Sequence, residues 1–128
     1  MAKRGNIFKC EVCEHVIQVH HEGVGTLVCC NKPMILLEEK SEDEGLEKHV
    51  PIIELRDDTV MVSVGDVLHP MEEAHYIEFI ELIVDDERYI QYLKPHQDPI
   101  VAFKLPSLEY QRIEARAYCN IHGLWKSE

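Results

Sequence analysis

The sequence lacks any long apolar run. None of its apolar stretches approaches the roughly eighteen residues that suggest a membrane-spanning helix, so we expect no membrane partner. The opening residues Met1 to Cys10 include basic side chains but no apolar stretch behind them, which does not match a secretory signal. We therefore expect a cytoplasmic protein.

Positive charge is also scarce. The 128 residues include 13 Lys and Arg against 24 Asp and Glu, for a net charge of -11 with histidine neutral. A nucleic-acid backbone or an anionic membrane would be repelled by such a chain, so neither is expected as a partner. An anionic substrate would need a local positive field that opposes the field of the whole molecule.

Helical periodicity is missing as well, and strand patterns take its place. Short β-branched runs are separated by acidic or Gly- and Pro-containing turns, which is typical of antiparallel strands. The predicted strands lie at about 6–9, 15–20, 25–29, 50–56, 59–64, 76–84, 88–94, 100–105 and 112–119. This spacing predicts an all-β fold whose larger part is an antiparallel β-sandwich.

The distribution of cysteine and acidic residues divides the chain. Residues 1–38 hold four of the five cysteines and few apolar side chains, and so short a segment usually requires a metal or disulfide staple to fold. Six of the ten residues from Glu38 to Glu47 are acidic. We predict a small metal-stapled domain over 1–38, a solvated acidic linker over 39–48, and the β-sandwich over 49–128.

Four cysteines form the first candidate metal site. Cys10 and Cys13 make a C-x-x-C pair, and Cys29 and Cys30 follow as adjacent residues. Four thiolates in a tetrahedron suit either Zn²⁺ or a single iron ion. A structural zinc ribbon is the favoured interpretation on ligand identity alone, but ribbons usually separate both cysteine pairs. A disulfide is weaker, because adjacent cysteines bridge only with strain.

Four histidines and the fifth cysteine form the second candidate site. His49, His69, His75 and His122 lie at predicted strand ends or in loops, and Cys119 precedes the last histidine by three residues. Each could be an ordinary turn residue. Together, however, neutral imidazoles suit Fe(II), and a thiolate donates electron density into the metal. Four histidines in a plane with an axial sulfur would leave one position open for a reactant. The other histidines, at 15, 20, 21 and 96, are interpreted as ordinary surface residues.

Motifs along nearly the whole chain resemble the desulfoferrodoxin family of two-iron superoxide reductases. The resemblance runs from about residue 6 to 126 in the family's order. It depends on these segments: Cys10-x-x-Cys13, Cys29-Cys30-Asn31-x-Pro33-Met34, Glu47-Lys48-His49-Val50-Pro51, His69-Pro70-Met71-Glu72-Glu73-x-His75-Tyr76-Ile77 and Tyr118-Cys119-Asn120-x-His122-Gly123-x-Trp125.

The resemblance implies a desulforedoxin-like N-terminal domain with an Fe(Cys)4 centre, followed by an immunoglobulin-like sandwich with an Fe(His)4(Cys) centre. In the second centre the four histidines would be equatorial ligands and Cys119 the axial one. The implied activity is one-electron reduction of superoxide to hydrogen peroxide. Lys48 would be the cation beside the open position, and Glu47 the carboxylate that fills it in the oxidised resting state. The family also implies a homodimer and a rubredoxin-like electron donor.

Two departures from the family pattern stand out. Glu14 follows the first cysteine pair where glycine would permit a positive φ, so the relaxed shape of that turn is in question. Ala74 lies where many relatives carry lysine, and we expect a weaker positive field there. Two other functions remain open from the sequence. The chain could be an electron carrier that works only through the four cysteines, or a zinc protein that binds a partner through its acidic face.

Overall fold

The computed structural model describes residues 2–42, 48–65 and 67–127, and within these ranges the secondary structure is entirely β. The chain divides into two compact units, Met1–Glu38 and Glu39–Glu128. This confirms the predicted all-β class. No helix in the described ranges is long and apolar enough to cross a membrane.

The first unit consists of very short strands. They are β1 (Ile7–Lys9), β2 (Val16–Gln18), β3 (Val28–Cys29), β4 (Lys32–Pro33) and β5 (Ile35–Leu36). Strand β1 pairs antiparallel with β2 and with β5, while β3 and β4 form a separate hairpin. Only two apolar side chains of its described residues are buried, those of Ile7 and Cys10. So small a core fits the expected need for a metal staple.

The described residues of the second unit form seven antiparallel strands in two sheets. They are β6 (Pro51–Arg56), β7 (Thr59–Val64), β8 (Ile77–Val84), β9 (Glu87–Tyr92), β10 (Ile100–Lys104), β11 (Ile113–Cys119) and β12 (Gly123–Lys126). One sheet has the order β10-β7-β6 and the other β12-β11-β8-β9. Inward side chains of both sheets form one core, which makes this unit the predicted sandwich.

Alternation along the strands decides which side chains enter that core. On β7, Val60, Val62 and Val64 are fully buried, while the residues between them are partly exposed. On β11, Ala115, Ala117 and Cys119 belong to the same core cluster, as expected for a period of two. Cys119 is therefore the last inward-facing residue of its strand, which places its sulfur at one end of the sandwich.

The strand predictions succeed best where the runs are long. Thr59–Val64 is confirmed without change, and most other long strands differ by one or two residues. Glu87, assigned to a turn, instead begins β9 and pairs with Val84. The predicted strand at 25–29 covers only Val28–Cys29. Strands β4, β5 and β12 were not predicted.

The region assigned to an acidic linker is only partly described. Residues 43–47 lie outside the described ranges, so the linker over 39–48 stays a prediction. Within its described part, Lys40 forms a parallel bridge with Trp125 of β12. Its backbone N–H donates to the Leu124 carbonyl at 3.0 Å, and its carbonyl accepts the Lys126 N–H at 2.8 Å.

Candidate metal centres

The first cluster brings together the four predicted cysteines. The sulfur atoms of Cys10, Cys13, Cys29 and Cys30 all lie within 4.8 Å of one another. The Sγ–Sγ distances are 3.5 Å from Cys13 to Cys29 and 4.0 Å from Cys29 to Cys30. A tetrahedral ion with metal–sulfur bonds of about 2.3 Å has edges of roughly 3.8 Å. The cluster therefore fits one tetrahedral metal ion, and its sulfur separations are too long for disulfides.

Two turns with left-handed backbone place these sulfurs. Glu14 has φ 69° after the first cysteine pair, and Cys30 and Asn31 have φ 52° and 61° after the second. The Glu14 N–H donates to the Cys10 carbonyl at 2.9 Å, and the Cys13 N–H donates to Cys10 Sγ at 3.5 Å. The questioned turn is thus formed with glutamate in a conformation that glycine adopts more easily.

Hydrogen bonding gives two of these thiols very different acidities before metal binds. The backbone N–H of Cys13 donates toward Cys10 and lowers the pKa of that thiol to about 6. Side-chain hydrogen bonds with Cys13 and Cys10 raise the pKa of Cys29 to about 12. Metal ligation requires thiolates. The Cys10 thiol is therefore more acidic than the Cys29 thiol, and metal binding must displace a more strongly held proton from Cys29.

His15 also contacts this cluster, although its sequence context suggested an ordinary surface residue. Its Nδ1 lies 3.1 Å from Cys13 Sγ. The His15 imidazole is exposed, and the His15 backbone carbonyl accepts the Cys10 N–H at 2.9 Å. An N–H donated to a ligating sulfur withdraws electron density from it. The only sequence signal for this contact is the separation of two residues from Cys13.

The second cluster brings together the four predicted histidines and Cys119 from five places in the sandwich. His49 precedes β6, His69 follows β7, His75 precedes β8, Cys119 ends β11, and His122 precedes β12. One donor atom from each lies within 4.8 Å of all the others. Their convergence at one end of the sandwich is the arrangement that the sequence predicted.

The four imidazole rings stand at the corners of an approximate square. Neighbouring ring centroids are separated by 4.6 Å from His49 to His69, 4.7 Å from His69 to His75, 5.0 Å from His75 to His122 and 4.7 Å from His122 to His49. The His49–His75 diagonal is 6.5 Å. The ratio of this diagonal to the four sides is close to the ratio expected for a square.

Cys119 supplies the fifth donor beside this square. Its Sγ lies 3.5 Å from His69 Nε2 and 3.9 Å from His122 Nδ1, and His49 Nε2 lies 3.1 Å from His122 Nδ1. Adjacent ligand atoms at about 2.1 Å from a common ion would be roughly 3.0 Å apart, and slightly more for sulfur. Nitrogen and thiolate donors of this kind suit a redox-active transition metal. The donor set thus fits one such ion.

Backbone contacts orient two of the donors. His69 Nδ1 lies 2.7 Å from the Pro70 carbonyl, so an Nδ1–H donated there leaves Nε2 as the atom that can bind metal. The backbone N–H of His122 donates to Cys119 Sγ at 3.4 Å. Both contacts are made within the loops that carry the ligands, so each ligand is oriented locally.

Asn120 joins two ligand-bearing loops. Its Oδ1 accepts the Tyr76 N–H at 2.9 Å, and its Nδ2 donates to the Ala74 carbonyl at 3.1 Å. Its own backbone N–H donates to the Tyr76 carbonyl at 3.2 Å. Because Ala74 and Tyr76 flank His75, these bonds hold that histidine in register with the loop of Cys119 and His122. Asn120 belongs to one of the family motifs in the sequence, but its role in joining the two loops was not predicted.

Burial is uneven across the cluster. His49, His69 and Cys119 are 2%, 3% and 0% exposed, whereas His75 is half-buried and His122 is exposed. The sulfur donor therefore lies in the protein interior, and the side near His122 and His75 is the one that solvent reaches. Such a site is open to a small reactant.

Of the two residues predicted to assist the reaction, only Lys48 lies within the described ranges. Lys48 is half-buried and directly precedes His49. Glu47 lies outside the described residues. The roles of both stay predictions.

Comparison with known proteins extends over both units. A family model described as "Desulfoferrodoxin, N-terminal domain" matches residues 2–37, and one described as "Desulfoferrodoxin" matches residues 41–128. The chain is 50% identical over 128 residues to the desulfoferrodoxin of Desulfarculus baarsii, covering 100% of this chain and 99% of the relative. It is 53% identical over 121 residues to a desulfoferrodoxin homolog of Archaeoglobus fulgidus, covering 94% of each. The crystal structure of the superoxide reductase from Treponema pallidum superposes with a TM-score of 0.80 at 27% identity, covering 96% of this chain and 97% of that one.

Proposed function

This chain belongs to the desulfoferrodoxin family, and from that premise we propose that it is a superoxide reductase that acts at the cluster of His49, His69, His75, His122 and Cys119. The observation that carries the proposal is the square of imidazoles with a buried sulfur beside it and an exposed edge. A closed structural metal site would have no such approach for a reactant.

The two clusters match the two-iron layout of the family. The four cysteines would hold one iron ion, and the four histidines with Cys119 would hold the other. When bound at the second cluster, iron supplies the single electron that the reaction needs. The family match sets aside the structural zinc ribbon that ligand identity alone favoured.

Reduction of superoxide to hydrogen peroxide consumes one electron and two protons. The substrate is a small anion approaching a chain with a net charge of -11, so attraction must come from a local cation. Lys48 provides this cation next to His49, and it orders water that delivers protons to the product. Cys119 contributes electron density to the metal from the protein interior, where no solvent competes for its sulfur.

The yield of products tests the proposed function directly. Protein reduced at both centres is mixed with superoxide, and hydrogen peroxide and dioxygen are measured together. Reduction gives one peroxide for each superoxide consumed and no dioxygen. Dismutation gives half as much peroxide and an equal amount of dioxygen, and this result would refute the proposal.

Replacement of Lys48 by Ile tests its role in attraction. We expect the second-order rate constant to fall by about tenfold, because the local positive field that raises the encounter rate is lost. The rate should also respond less to added salt. Lys104→Ile is the matched control, since Lys104 is 79% exposed and lies on β10. Equal rates in the unaltered protein and Lys48→Ile would remove the proposed role.

The electron donor, the assembly and the location complete the proposal. A rubredoxin-like carrier supplies the electrons. The protein forms a homodimer, because the first unit exposes apolar side chains that a second copy could cover, among them Val12, Val24, Val28 and Leu36. Sedimentation of the iron-loaded protein tests the dimer, and reduction by purified rubredoxin tests the donor.

The protein works in the cytoplasm. The sulfur atoms of the first cluster are too far apart for disulfides, and a reducing compartment keeps cysteines in that state.

A further inference from the structure

Lys40 is held against strand β12 by its backbone. It forms the parallel bridge with Trp125, with hydrogen bonds of 3.0 Å to the Leu124 carbonyl and 2.8 Å from the Lys126 N–H. These bonds fix where its side chain leaves the main chain. A residue assigned by sequence to a solvated linker is therefore part of the structure that carries His122.

The side chain of Lys40 reaches the second metal cluster. Its Nζ donates a hydrogen bond to the His122 carbonyl at 3.2 Å and lies 5.2 Å from the centroid of the Trp125 ring. The second contact is within the range of a cation–π interaction. Lys40 is only half-buried, but both of its side-chain contacts are to residues at or next to the cluster.

Trp125 connects the same lysine to a second ligand. Its indole N–H donates to the His122 carbonyl at 3.1 Å, so that carbonyl accepts from both Trp125 and Lys40. Its ring is stacked on the His49 imidazole, with centroids 4.6 Å apart and planes 15° apart. Trp125 is 2% exposed and cannot easily move away. The pair thus contacts two of the five donors.

We propose that Lys40, with Trp125, is a positioning residue of the second centre that also raises its reduction potential. The proposal rests on the proposed function, because it assumes that iron is held by the five donors. A fixed positive charge beside a metal favours the state with one more electron. Contacts behind the ligands are also known to tune metal affinity and potential. In a chain with few basic residues, this cation is distinct from Lys48.

Two substitutions separate charge from fit. Lys40→Met keeps the length of the side chain but removes its charge and its hydrogen bond. Lys40→Arg keeps both the charge and a hydrogen-bond donor. The reduction potential of each centre is measured by optical titration of the iron-loaded protein. Lys40→Met should make the second centre harder to reduce and release its iron several-fold faster to a chelator, while Lys40→Arg stays close to the unaltered protein.

Controls exclude general effects of charge. Lys104→Met makes the same change of charge at an exposed site and should leave both potentials unchanged. The cysteine centre of Lys40→Met serves as an internal reference, because its ligands belong to the other unit. An unchanged potential at the second centre of Lys40→Met, or an equal shift in Lys104→Met, would overturn the proposal.

A further variant protects the test against loss of iron. Lys40→Gln keeps a hydrogen-bond donor without charge, so it should retain iron and still show the lowered potential. Retention of iron with an unaltered potential would contradict the effect of charge. These titrations require no superoxide. A protein that fails to reduce superoxide but shows the shift would refute the proposed function and leave the role of Lys40 standing.

Discussion

Gly65 lies directly against Lys48: a Cβ atom at position 65 would stand 2.7 Å from the Lys48 Cβ and 2.9 Å from its carbonyl oxygen, and 2.5 Å from the Val67 carbonyl oxygen. Gly65 also has φ +84°, a conformation that side chains disfavour. Its N–H donates to the Val50 carbonyl at 3.1 Å. The residue after β7 thus meets the segment of Lys48 and His49 at a distance that only glycine permits.

Substitution of Gly65 by Ala should disturb the reaction without removing a functional group. The added methyl group must push aside both the Val67 carbonyl and Lys48, which directly precedes His49. A displacement near 1 Å at a reacting group can cost about a hundredfold in rate. We expect superoxide consumption by the iron-loaded protein to slow by about tenfold or more. Gly123→Ala is the control, because Gly123 lies in the same unit with φ +86°, and a Cβ atom added there would meet no atom within 4 Å. Equal loss in both variants would show that backbone strain, not the contact with Lys48, is responsible.

His15 should tune the first centre. An N–H donated to Cys13 Sγ reduces electron donation by that sulfur and raises the potential of the ion it binds. His15→Ala should therefore shift the potential of the cysteine centre to a more negative value, as read by optical titration. His21→Ala removes another exposed histidine of the same unit as a control. A potential that does not respond to His15→Ala would mean that the contact has no electronic effect.

Replacement of Glu14 by Gly should stabilise the first unit. A side chain in the left-handed region costs roughly 1–2 kcal/mol, and the greater freedom of glycine when unfolded offsets part of this gain. We expect the free energy of unfolding to rise by about 0.5–1 kcal/mol, measured by denaturant titration at the absorption of the first centre. Glu11→Gly changes an exposed residue of the same turn that does not have positive φ. That variant should be destabilised, and a gain there would count against the explanation.

A buried ion pair should contribute to the stability of the sandwich. Glu81 and Arg116 are 0% and 3% exposed, and the Arg116 guanidinium donates to Glu81 Oε1 at 2.6 Å. Removal of one partner from a buried pair costs about 3–5 kcal/mol. We expect Arg116→Leu to fall near the lower value, since Arg88 lies 3.3 Å from the same oxygen.

The surface pair of Arg112 and Glu114 is the matched control for this prediction. Its distance is 2.8 Å, but Arg112 is 62% exposed. Arg112→Leu should therefore cost less than about 1 kcal/mol. Denaturant unfolding of the second unit compares the two variants, and similar losses would show that burial of the pair has no special weight.

Ligand identity could be predicted from the sequence because each metal donor needs a particular side chain. Cysteine and histidine are uncommon enough that their grouping is visible in the sequence. In the structure, Ala115, Ala117 and Cys119 belong to one core cluster, so the sulfur lies on the core side of β11. The family motifs then fixed which histidines belong together. The predicted grouping of all nine donors agrees with the clusters in the structure.

The contacts behind the ligands could not be predicted in the same way. Lys40 forms a bridge with Trp125, which lies 85 residues later in the sequence. The acidic, polar segment around Lys40 has no sequence pattern that predicts a parallel bridge. The approach of His15 to Cys13 depends on the left-handed turn at Glu14. Strands of two residues, such as β4 and β5, are too short to show alternation.

The account depends most on superoxide reacting at the histidine centre. A single turnover of protein reduced at both irons, followed by stopped-flow absorption of each centre, measures this directly. We predict that one equivalent of superoxide oxidises the histidine centre first, before the absorption of the cysteine centre changes. Prior oxidation of the cysteine centre, with the histidine centre still reduced, would contradict the account.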